Sequence, residues 1–292
     1  MPDLNCELHT ELIGALACPV CGAPLGVTED GRSLACKGSR RHLFDGGAGG
    51  YVHLAPAHGG GGDSKEAVRA RTAFLTHGYY APARDALVAL VRAYTPDGGP
   101  VLDAGCGEGY YSGAIAEAGY PVMGVDLSKF AADAAAKSAR AHRLRTGNAP
   151  MTLYAVGSVF ALPVADGLFD TVTNIFAPCA PAEYARVLKS GGHLIVAGAG
   201  ERHLMGLKEL IYDDPYLNQP RRDLPDGTSA LSPVDKQTVT FTVTVTGREH
   251  LAALFSMTPY YWRTSRDGHT RLSDATELET EVSFDFYIYK KH

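Results

Sequence analysis

Four residues near the start of the chain have the chemistry of a metal site. Cys18-Pro19-Val20-Cys21 is a CxxC knuckle followed by Gly22, and Cys36 and His42 come after it. Thiolates and an imidazole are the donors of closed tetrahedral zinc sites, with bonds of about 2.3 Å to sulfur and about 2.0–2.1 Å to nitrogen. Of the 6 cysteines, Cys18, Cys21 and Cys36 are clustered, whereas Cys6, Cys106 and Cys179 are scattered. Clustering of this kind points to metal rather than disulfides. A redox pair is disfavoured because no βαβ pattern surrounds the CxxC; plain buried thiols are the remaining alternative. Four protein ligands leave no open position, so the ion would be structural. The segment is too short for a core of its own, and metal binding would then supply its folding energy. From Arg32 to His42 it carries Arg32, Lys37, Arg40 and Arg41 and no acid, a local positive face or simply a solvated loop.

A second constellation lies in "PVLDAGCGEGYYSGAIAEAGYPVMGVDLSK". A short apolar strand at Val101 and Leu102 runs into Asp103 and the alternating glycines Gly105, Gly107 and Gly109. A helix starts near Tyr111, and a second strand ends at Asp126. This is a βαβ unit with a glycine-rich first turn and an acid closing the second strand. A nicotinamide fingerprint would need glycine where Tyr110 stands, and no Gly-Lys-Ser/Thr of a P-loop is present. DxGxGxG with a later acid fits S-adenosylmethionine better. The glycines would let backbone approach this cofactor, and Asp126 would accept hydrogen bonds from its ribose hydroxyls.

The elements that must position these residues follow from periodicity. Gly59 to Gly62 read as a linker or mobile loop. Asp63 and Glu66 form a capping-box pattern ahead of "SKEAVRARTAFLTHG", a helix with Val68, Phe74 and Leu75 on its apolar stripe and Gly78 as its stop. A second helix, "ARDALVALVRAY", leads to the glycine motif. Beyond it, "MTLYAV" gives a third strand, a loop follows around Ser158 and Leu162-Pro163, and Phe169 to Ile175 give a fourth strand. "PAEYARVLKSGGHLIVAG" reads as a helix, a Gly191-Gly192 turn and a fifth strand. From Lys236, "KQTVTFTVTVTG" alternates in period two. A helix, "REHLAALFSM", and a last strand, "EVSFDFYIYK", close a seven-stranded α/β sheet of the doubly wound methyltransferase type. The stretch from Glu201 to Val234 interrupts this pattern and would sit over the site as a lid. The expected organisation is a zinc module over 1–55, a linker and helical connection over 56–98, and the cofactor-binding domain over 99–292.

At 292 residues, 45% hydrophobic and 20% charged, the composition is that of a globular protein. A net charge of −5 argues against a general nucleic-acid coat protein but leaves room for a local basic patch. No apolar run approaches the ~20 residues of a membrane span. The N-terminus lacks the basic and apolar regions of a secretory signal, so a cytoplasmic location without membrane contact is expected.

Several stretches together resemble one family, the bacterial RlmA-type 23S rRNA guanine-N1 methyltransferases, which includes macrolide-resistance relatives. They are "CPVCG…RHLFD…GYVHL", "GDSKEAVRARTAFLTHGYY", "VLDAGCGEGYYS", "GVDLSK", "APC" with "EYARVLKSGG", "RHLMGLKELIY" and "LFSMTPYYW". The glycine motif is common to most methyltransferases, whereas "GDSKE…R.AFL…G.Y" and "MTP..WR" are selective. The resemblance implies structural zinc on Cys18, Cys21, Cys36 and His42. It also implies cofactor contacts at Tyr80, Gly107, Glu108 and His203, a homodimer, and an RNA-binding cleft formed with the zinc modules. Three departures stand out: the gap from Cys36 to His42 is longer than C-x3-H, Asn174 replaces an arginine, and the N-terminus is extended by about a dozen residues.

If that function holds, the enzyme takes an unpaired or extruded guanine, holds it on aromatic faces and helps the N1 proton leave. Tyr110, Tyr111, Phe176, Tyr260, Tyr261 and Trp262 are candidate stacking residues, each with core packing as its alternative. Phe176 follows the fourth strand and is best placed. Asn174 would hydrogen-bond the base edge or cap the strand end. No residue stands out as the general base. The cofactor set then comprises Tyr80, Asp103, Gly105, Gly107, Glu108, Gly109, Asp126, Leu127, Ser158 and His203. Cys106 and Cys179 read as small wall residues, because methylation at nitrogen needs no covalent enzyme intermediate. A basic zinc module suits an acceptor of folded RNA. The other readings are a small-molecule methyltransferase of secondary metabolism and a zinc-dependent RNA-binding factor without catalysis.

Overall fold

The computed structural model describes residues 7–55, 61–219, 224 and 229–292, the side chains of residues 7–10 and of Trp262 excepted. Cys6, His58, Gly59 and Gly60 lie outside the described residues, as does part of the expected lid.

The chain opens with α1 (Glu7–Gly14) and three short strands, β1 (Leu25–Val27), β2 (Ser33–Cys36) and β3 (Leu43–Asp45). They pair antiparallel in the order β1-β2-β3, the arrangement of a small ribbon. β4 (Val52–His53) then leaves the ribbon and pairs in parallel with β7 (Thr152–Val156) of a large sheet. Two helices follow, α2 (Lys65–Thr76) and α3 (Ala81–Tyr94).

β5 (Val101–Ala104), α4 (Tyr110–Glu117), β6 (Val122–Asp126) and α5 (Lys129–Thr146) make the expected βαβ unit. After β7 come β8 (Phe169–Ile175), α6 (Pro181–Val187), β9 (Leu188–Ala199) and α7 (Met205–Ile211). β10 (Leu231–Thr246), α8 (Arg248–Ser256), α9 (Arg266–Asp274) and β11 (Glu277–Lys291) complete the fold. The large sheet has the order β10-β11-β9-β8-β5-β6-β7-β4. β11 lies antiparallel between β9 and β10, and the other pairings are parallel. The seven expected strands are present; the eighth, β4, is lent by the front module.

Period-two alternation gives each central strand two apolar faces. Leu102, Ala104, Met123, Val125, Leu153 and Ala155 point to one core, whereas Val101, Val122, Ile175 and Ile195 point to the other. α2, α3, α4, α7 and α8 cover the second face. On the first face, buried Leu12, Ile13, Leu16, Leu25 and Leu34 of the front module share one cluster with the sheet. Backbone bonds tie it down further, from Ala17 N–H to the Pro163 carbonyl (2.9 Å) and from Ala165 N–H to the Ala15 carbonyl (3.0 Å). The front module therefore draws folding energy from the body of the protein as well as from its ligands.

Three sequence expectations need correction. The cap of α2 is Ser64, whose hydroxyl accepts from Ala67 N–H (3.2 Å), because Asp63 is drawn away to an ion pair with Arg71. Gly191 and Gly192 do not end an element. They lie inside β9, where the register with β8 jumps from Leu188 to His193, so the pair forms a bulge with Gly191 at φ +79°. Finally, β10 begins at Leu231 rather than Lys236, since Ser232 and Pro233 still find partners in Lys290 and Tyr289 of β11.

Candidate functional site

The C-terminal ends of β5, β6 and β8 open into a cleft of about 1090 Å³. The strand order reverses beside β5: the chain runs outward from β5 through β6 to β7 and then crosses back to β8 on the other side, and such a switch point is where open α/β sheets bind ligands. The first turn is built by three left-handed glycines, at φ +84° for Gly105, +54° for Gly107 and +80° for Gly109. A Cβ on Gly105 would lie 2.3 Å from Ala177 Cβ, and one on Gly109 would meet Ala135 and the Tyr154 hydroxyl at 2.9 Å. Close internal packing thus accounts for two of these glycines as strongly as an approaching cofactor would.

Asp126 ends β6 at the wall of the cleft. Its Oδ1 accepts from Ser128 N–H (2.8 Å) and its Oδ2 from Gly107 N–H (3.0 Å). Each carboxylate oxygen retains a lone pair, so the group can still receive a pair of vicinal hydroxyls. Burial raises its pKa. Asp103 behaves differently: it is 1% exposed and does not reach the cleft. Its oxygens accept from the hydroxyls of Ser112 and Thr173, which ties the first turn to α4 and β8. Desolvation pushes its carboxyl up to about 6. Asp103 and Gly109 are therefore placed as supports of the turn and do not line the cleft. Tyr80, Gly105, Gly107, Glu108, Leu127 and Ser158 all line the cleft, as does His203.

Sequence reading missed the cation of this end. Arg71, from α2, donates through Nε to Glu108 (2.5 Å) and through Nη1 to Asp63. It stands on the face of α2 that carries Val68 and Leu75, so a charge inside an apolar stripe was the available signal. With Asp63, Glu108 and Asp126 all on the wall, this end of the cleft is net anionic and suits a cationic ligand.

At the other end, Phe176 is half exposed and its backbone is left-handed, at φ +51°. A bulky residue in that conformation is strained. Its ring lies 5.6 Å from His203 and 4.9 Å from Phe284. His203 is buried, and its Nδ1 accepts from Ser283 N–H (3.2 Å), which leaves the proton on Nε2. Burial depresses its pKa to about 4, so the ring is neutral at pH 7 and has no free lone pair with which to take a proton.

Of the two roles considered for Asn174, the structure shows the one at the strand end. It is 1% exposed, and its Nδ2 reaches the carbonyls of Ala104 (3.0 Å) and Pro178 (3.1 Å) and the hydroxyl of Tyr184 (3.0 Å). It shapes the turn that presents Phe176 and does not line the cleft. Among the other aromatic candidates, Tyr111 and Tyr260 line the cleft, Tyr110 does not, Tyr261 is 43% exposed, and the Trp262 side chain lies outside the described residues. Cys106 lies on the wall with its thiol pKa driven well up by burial, as fits an inert residue.

Part of the expected lid is present. Tyr216, Leu217, Asn218 and Gln219 line the cleft, and buried Lys208 fastens them. Lys208 Nζ donates to the Tyr216 carbonyl (2.8 Å) and to Asn218 Oδ1 (2.7 Å), and it lies 4.4 Å from the Tyr216 ring centre and 5.3 Å from that of Tyr260.

The ligand atoms of Cys18, Cys21, Cys36 and His42 lie within 4.8 Å of one another. The Cys21 and Cys36 sulfurs are 3.7 Å apart, and His42 Nδ1 lies 3.5, 3.6 and 3.4 Å from the sulfurs of Cys18, Cys21 and Cys36. With ordinary zinc bond lengths, a tetrahedron has sulfur–sulfur edges of about 3.8 Å and sulfur–nitrogen edges of about 3.6 Å. The donor set and its spacing therefore fit zinc, with His42 coordinating through Nδ1. Backbone N–H groups of His42 and Gly38 pull the Cys36 thiol down to about 6, which favours the thiolate that a metal needs. The long gap from Cys36 to His42 is absorbed by a turn whose Arg40 carbonyl faces the Cys36 sulfur at 3.0 Å.

Comparison with known proteins matches these two regions. Residues 16–60 match the zinc-ribbon family described as RlmA, N-terminal, and residues 102–196 match the family described as methyltransferase domain. A 23S rRNA (guanine(748)-N(1))-methyltransferase of Streptomyces fradiae is 33% identical over 210 residues, covering 70% of each chain. A Micromonospora griseorubida protein is 31% identical, covering 88% of this chain and 90% of that one. Bacillus subtilis YxjB is 28% identical, covering 94% and 96%. The latter two share the name "Putative 23S rRNA (guanine-N(1)-)-methyltransferase".

Proposed function

Because the chain belongs to the RlmA-type family of 23S rRNA guanine-N1 methyltransferases, we propose that it methylates N1 of a guanine in a domain II hairpin loop of 23S rRNA. S-adenosylmethionine, when bound, supplies a methyl group on a sulfonium for in-line displacement. The observation that carries this reading is one cleft with two unlike ends. The Asp126 and Glu108 end is anionic and offers hydroxyl acceptors, whereas the Phe176 end presents an exposed aromatic face for an extruded base. Its volume exceeds the usual 300–1,000 Å³ of a small-molecule pocket, as a site for both a cofactor and a nucleotide would.

In this reading Tyr80, Gly107, Glu108, Asp126, Leu127, Ser158 and His203 hold the cofactor, and Phe176 stacks the acceptor. His203 acts by shape and as an Nε2–H donor, since neither its tautomer nor its pKa suits a base at neutral pH. Residues 1–55 serve as the zinc module, 56–98 as connection and 99–292 as the methyl-transfer domain. The basic face around Arg40 and Arg41 meets phosphates flanking the target, two copies together form the RNA cleft, and the protein works in the cytoplasm where ribosomes are made. Among the described residues no helix is long and apolar enough to cross a membrane.

The test is methyl transfer from labelled cofactor to transcribed 23S rRNA, followed by primer extension. A methyl on guanine N1 blocks pairing, so a new stop one nucleotide before a domain II guanine is expected. Incorporation without a stop would move the methyl off N1. Bound cofactor with no incorporation into RNA or ribosomal particles would point to a small-molecule acceptor.

A further inference from the structure

Methylation at N1 imposes a geometric constraint on recognition. N1 must face the donor, so N1 itself is taken up by the reaction, and O6 and N7 of the adjoining major-groove edge are left for the protein to read. The wall of the cleft carries two arginines among the described residues, Arg71 and Arg263. Arg71 is committed to Glu108 and Asp63 at the cofactor end. Arg263 lines the same cleft from just after the 3-10 turn Pro259–Trp262, where its backbone N–H bonds the Tyr260 carbonyl (2.9 Å). Tyr260 in turn donates to Asn218 (3.3 Å), whose Nδ2 holds the His203 carbonyl (3.1 Å), so this turn is coupled to the ring that faces Phe176. Among the described residues the Arg263 guanidinium has no hydrogen-bond or ion-pair partner. A planar fork of donors left free in the same cleft as an exposed aromatic face is an arrangement that can read guanine.

We propose that Arg263 is the specificity-determining residue for the acceptor base, donating in bidentate fashion to guanine O6 and N7. The inference rests on the reading of the cleft as a guanine-N1 methyltransferase site. The contact does chemical work as well. The N1–H bond breaks with its proton passing to water, and the negative charge spreads to O6, where the guanidinium stabilises it. The electron pair left on N1 then forms the bond to the methyl carbon, while the carbon–sulfur bond breaks and its pair stays on sulfur. Adenine offers an amino group where guanine has O6 and would set donor against donor.

The experiment uses the full-length zinc-loaded protein and a synthetic RNA hairpin bearing guanosine or 7-deazaguanosine at the target. Wild type must first give the N1 stop on guanosine; if it does not, the underlying reading falls before Arg263 is tested. Given that stop, R263Q should lower kcat/KM on guanosine by ~10- to 100-fold. The 7-deaza substitution should lower wild type by about tenfold and leave R263Q without further loss, because the N7 contact is already gone. RNA affinity measured without donor should repeat this non-additivity, and R263K should fall between the two. In R263Q the pH at which kcat is half-maximal should move upward. Thermal melting followed by the single tryptophan, Trp262, shows whether R263Q is folded. Undiminished turnover by R263Q, or a 7-deaza penalty that persists in full in R263Q, would overturn the proposal.

Discussion

Lys208 and Asn218 are joined by a charge-assisted hydrogen bond of 2.7 Å inside the protein, and Asn218 passes that constraint to the active cleft. Its amide donates to the carbonyls of Gly200 (3.0 Å) and His203 (3.1 Å). One buried ammonium therefore sets both the segment over the cleft and the backbone beneath His203. Lys208→Met keeps the volume but leaves the Tyr216 carbonyl without its Nζ donor and weakens the hold on Asn218. A loss of ~1–3 kcal/mol in unfolding free energy is expected. A purely structural role would stop there. A positioning role also predicts a raised KM for RNA in the folded variant, measured at a temperature well below its transition. An unchanged KM would confine Lys208 to stability.

Phe176 offers a test of stored strain. In an ordinary loop, glycine in place of alanine destabilises, but at φ +51° the order should invert. Phe176→Gly is expected to be about 1 kcal/mol more stable than Phe176→Ala, read from urea midpoints. Both should lose methyl transfer by ~10- to 100-fold, the worth of one stacked base. If Phe176→Ala transfers methyl at the wild-type rate, the exposed ring has no part in holding the acceptor.

The zinc ligands predict a graded response to substitution. Cys36→Ser removes one of three thiolates and should abolish the one equivalent of zinc that wild type is expected to release in acid. His42→Cys should retain it, because a fourth thiolate fits the same tetrahedron. Because β4 carries the ribbon into the large sheet beside β7, loss of zinc should lower the melting temperature of the whole protein rather than of a detached module. Two separate transitions, with the cofactor domain unmoved, would show the ribbon to be energetically independent.

Most of the sheet was legible because alternation and glycine spacing are local signals. Asp126, the first turn and the Cys-His cluster could be read for the same reason. What escaped were charges whose partners are remote in sequence. Arg71 falls on the stripe of Val68 and Leu75, and Lys208 falls between Leu207 and Ile211, both at positions where periodicity asks for an apolar side chain. Each misfit marked a charge bonded to the wall of the cleft, an ion pair for Arg71 and a charge-assisted hydrogen bond for Lys208, but only the fold reveals the partners, Glu108 and Asn218. Asn174 was ambiguous for the opposite reason. A polar residue at the end of β8 looked available, yet the Pro178 carbonyl and Tyr184 hydroxyl close over it. β4 was invisible as a strand, since Val52 and His53 gain their identity only from pairing with Ala155 and Val156.

His203 and Asp103 should oppose each other in acid. Burial takes His203 from 6.5 to about 4, so the folded protein binds its proton more weakly than the unfolded chain does. Its contribution is intact above about 6.5 and is lost as pH falls towards 4. Asp103 is raised from 3.8 to about 6, so its contribution is intact below 3.8 and is lost as pH rises through 6. Each shift spans a little over two units, or roughly 3 kcal/mol at its limit. Between pH 4 and 6 the two slopes nearly cancel. Asp103→Asn removes one of them, so the variant should lose stability relative to wild type as pH falls from 6 to 4. His203→Gln should gain relative stability over the same range, whereas Asp126, raised in the same sense as Asp103 but present in both proteins, cancels from the difference. Urea unfolding at closely spaced pH values measures both differences, and differences between variants cancel any common loss of zinc. Curves that run parallel to wild type for both variants would mean that neither group titrates with the folded state.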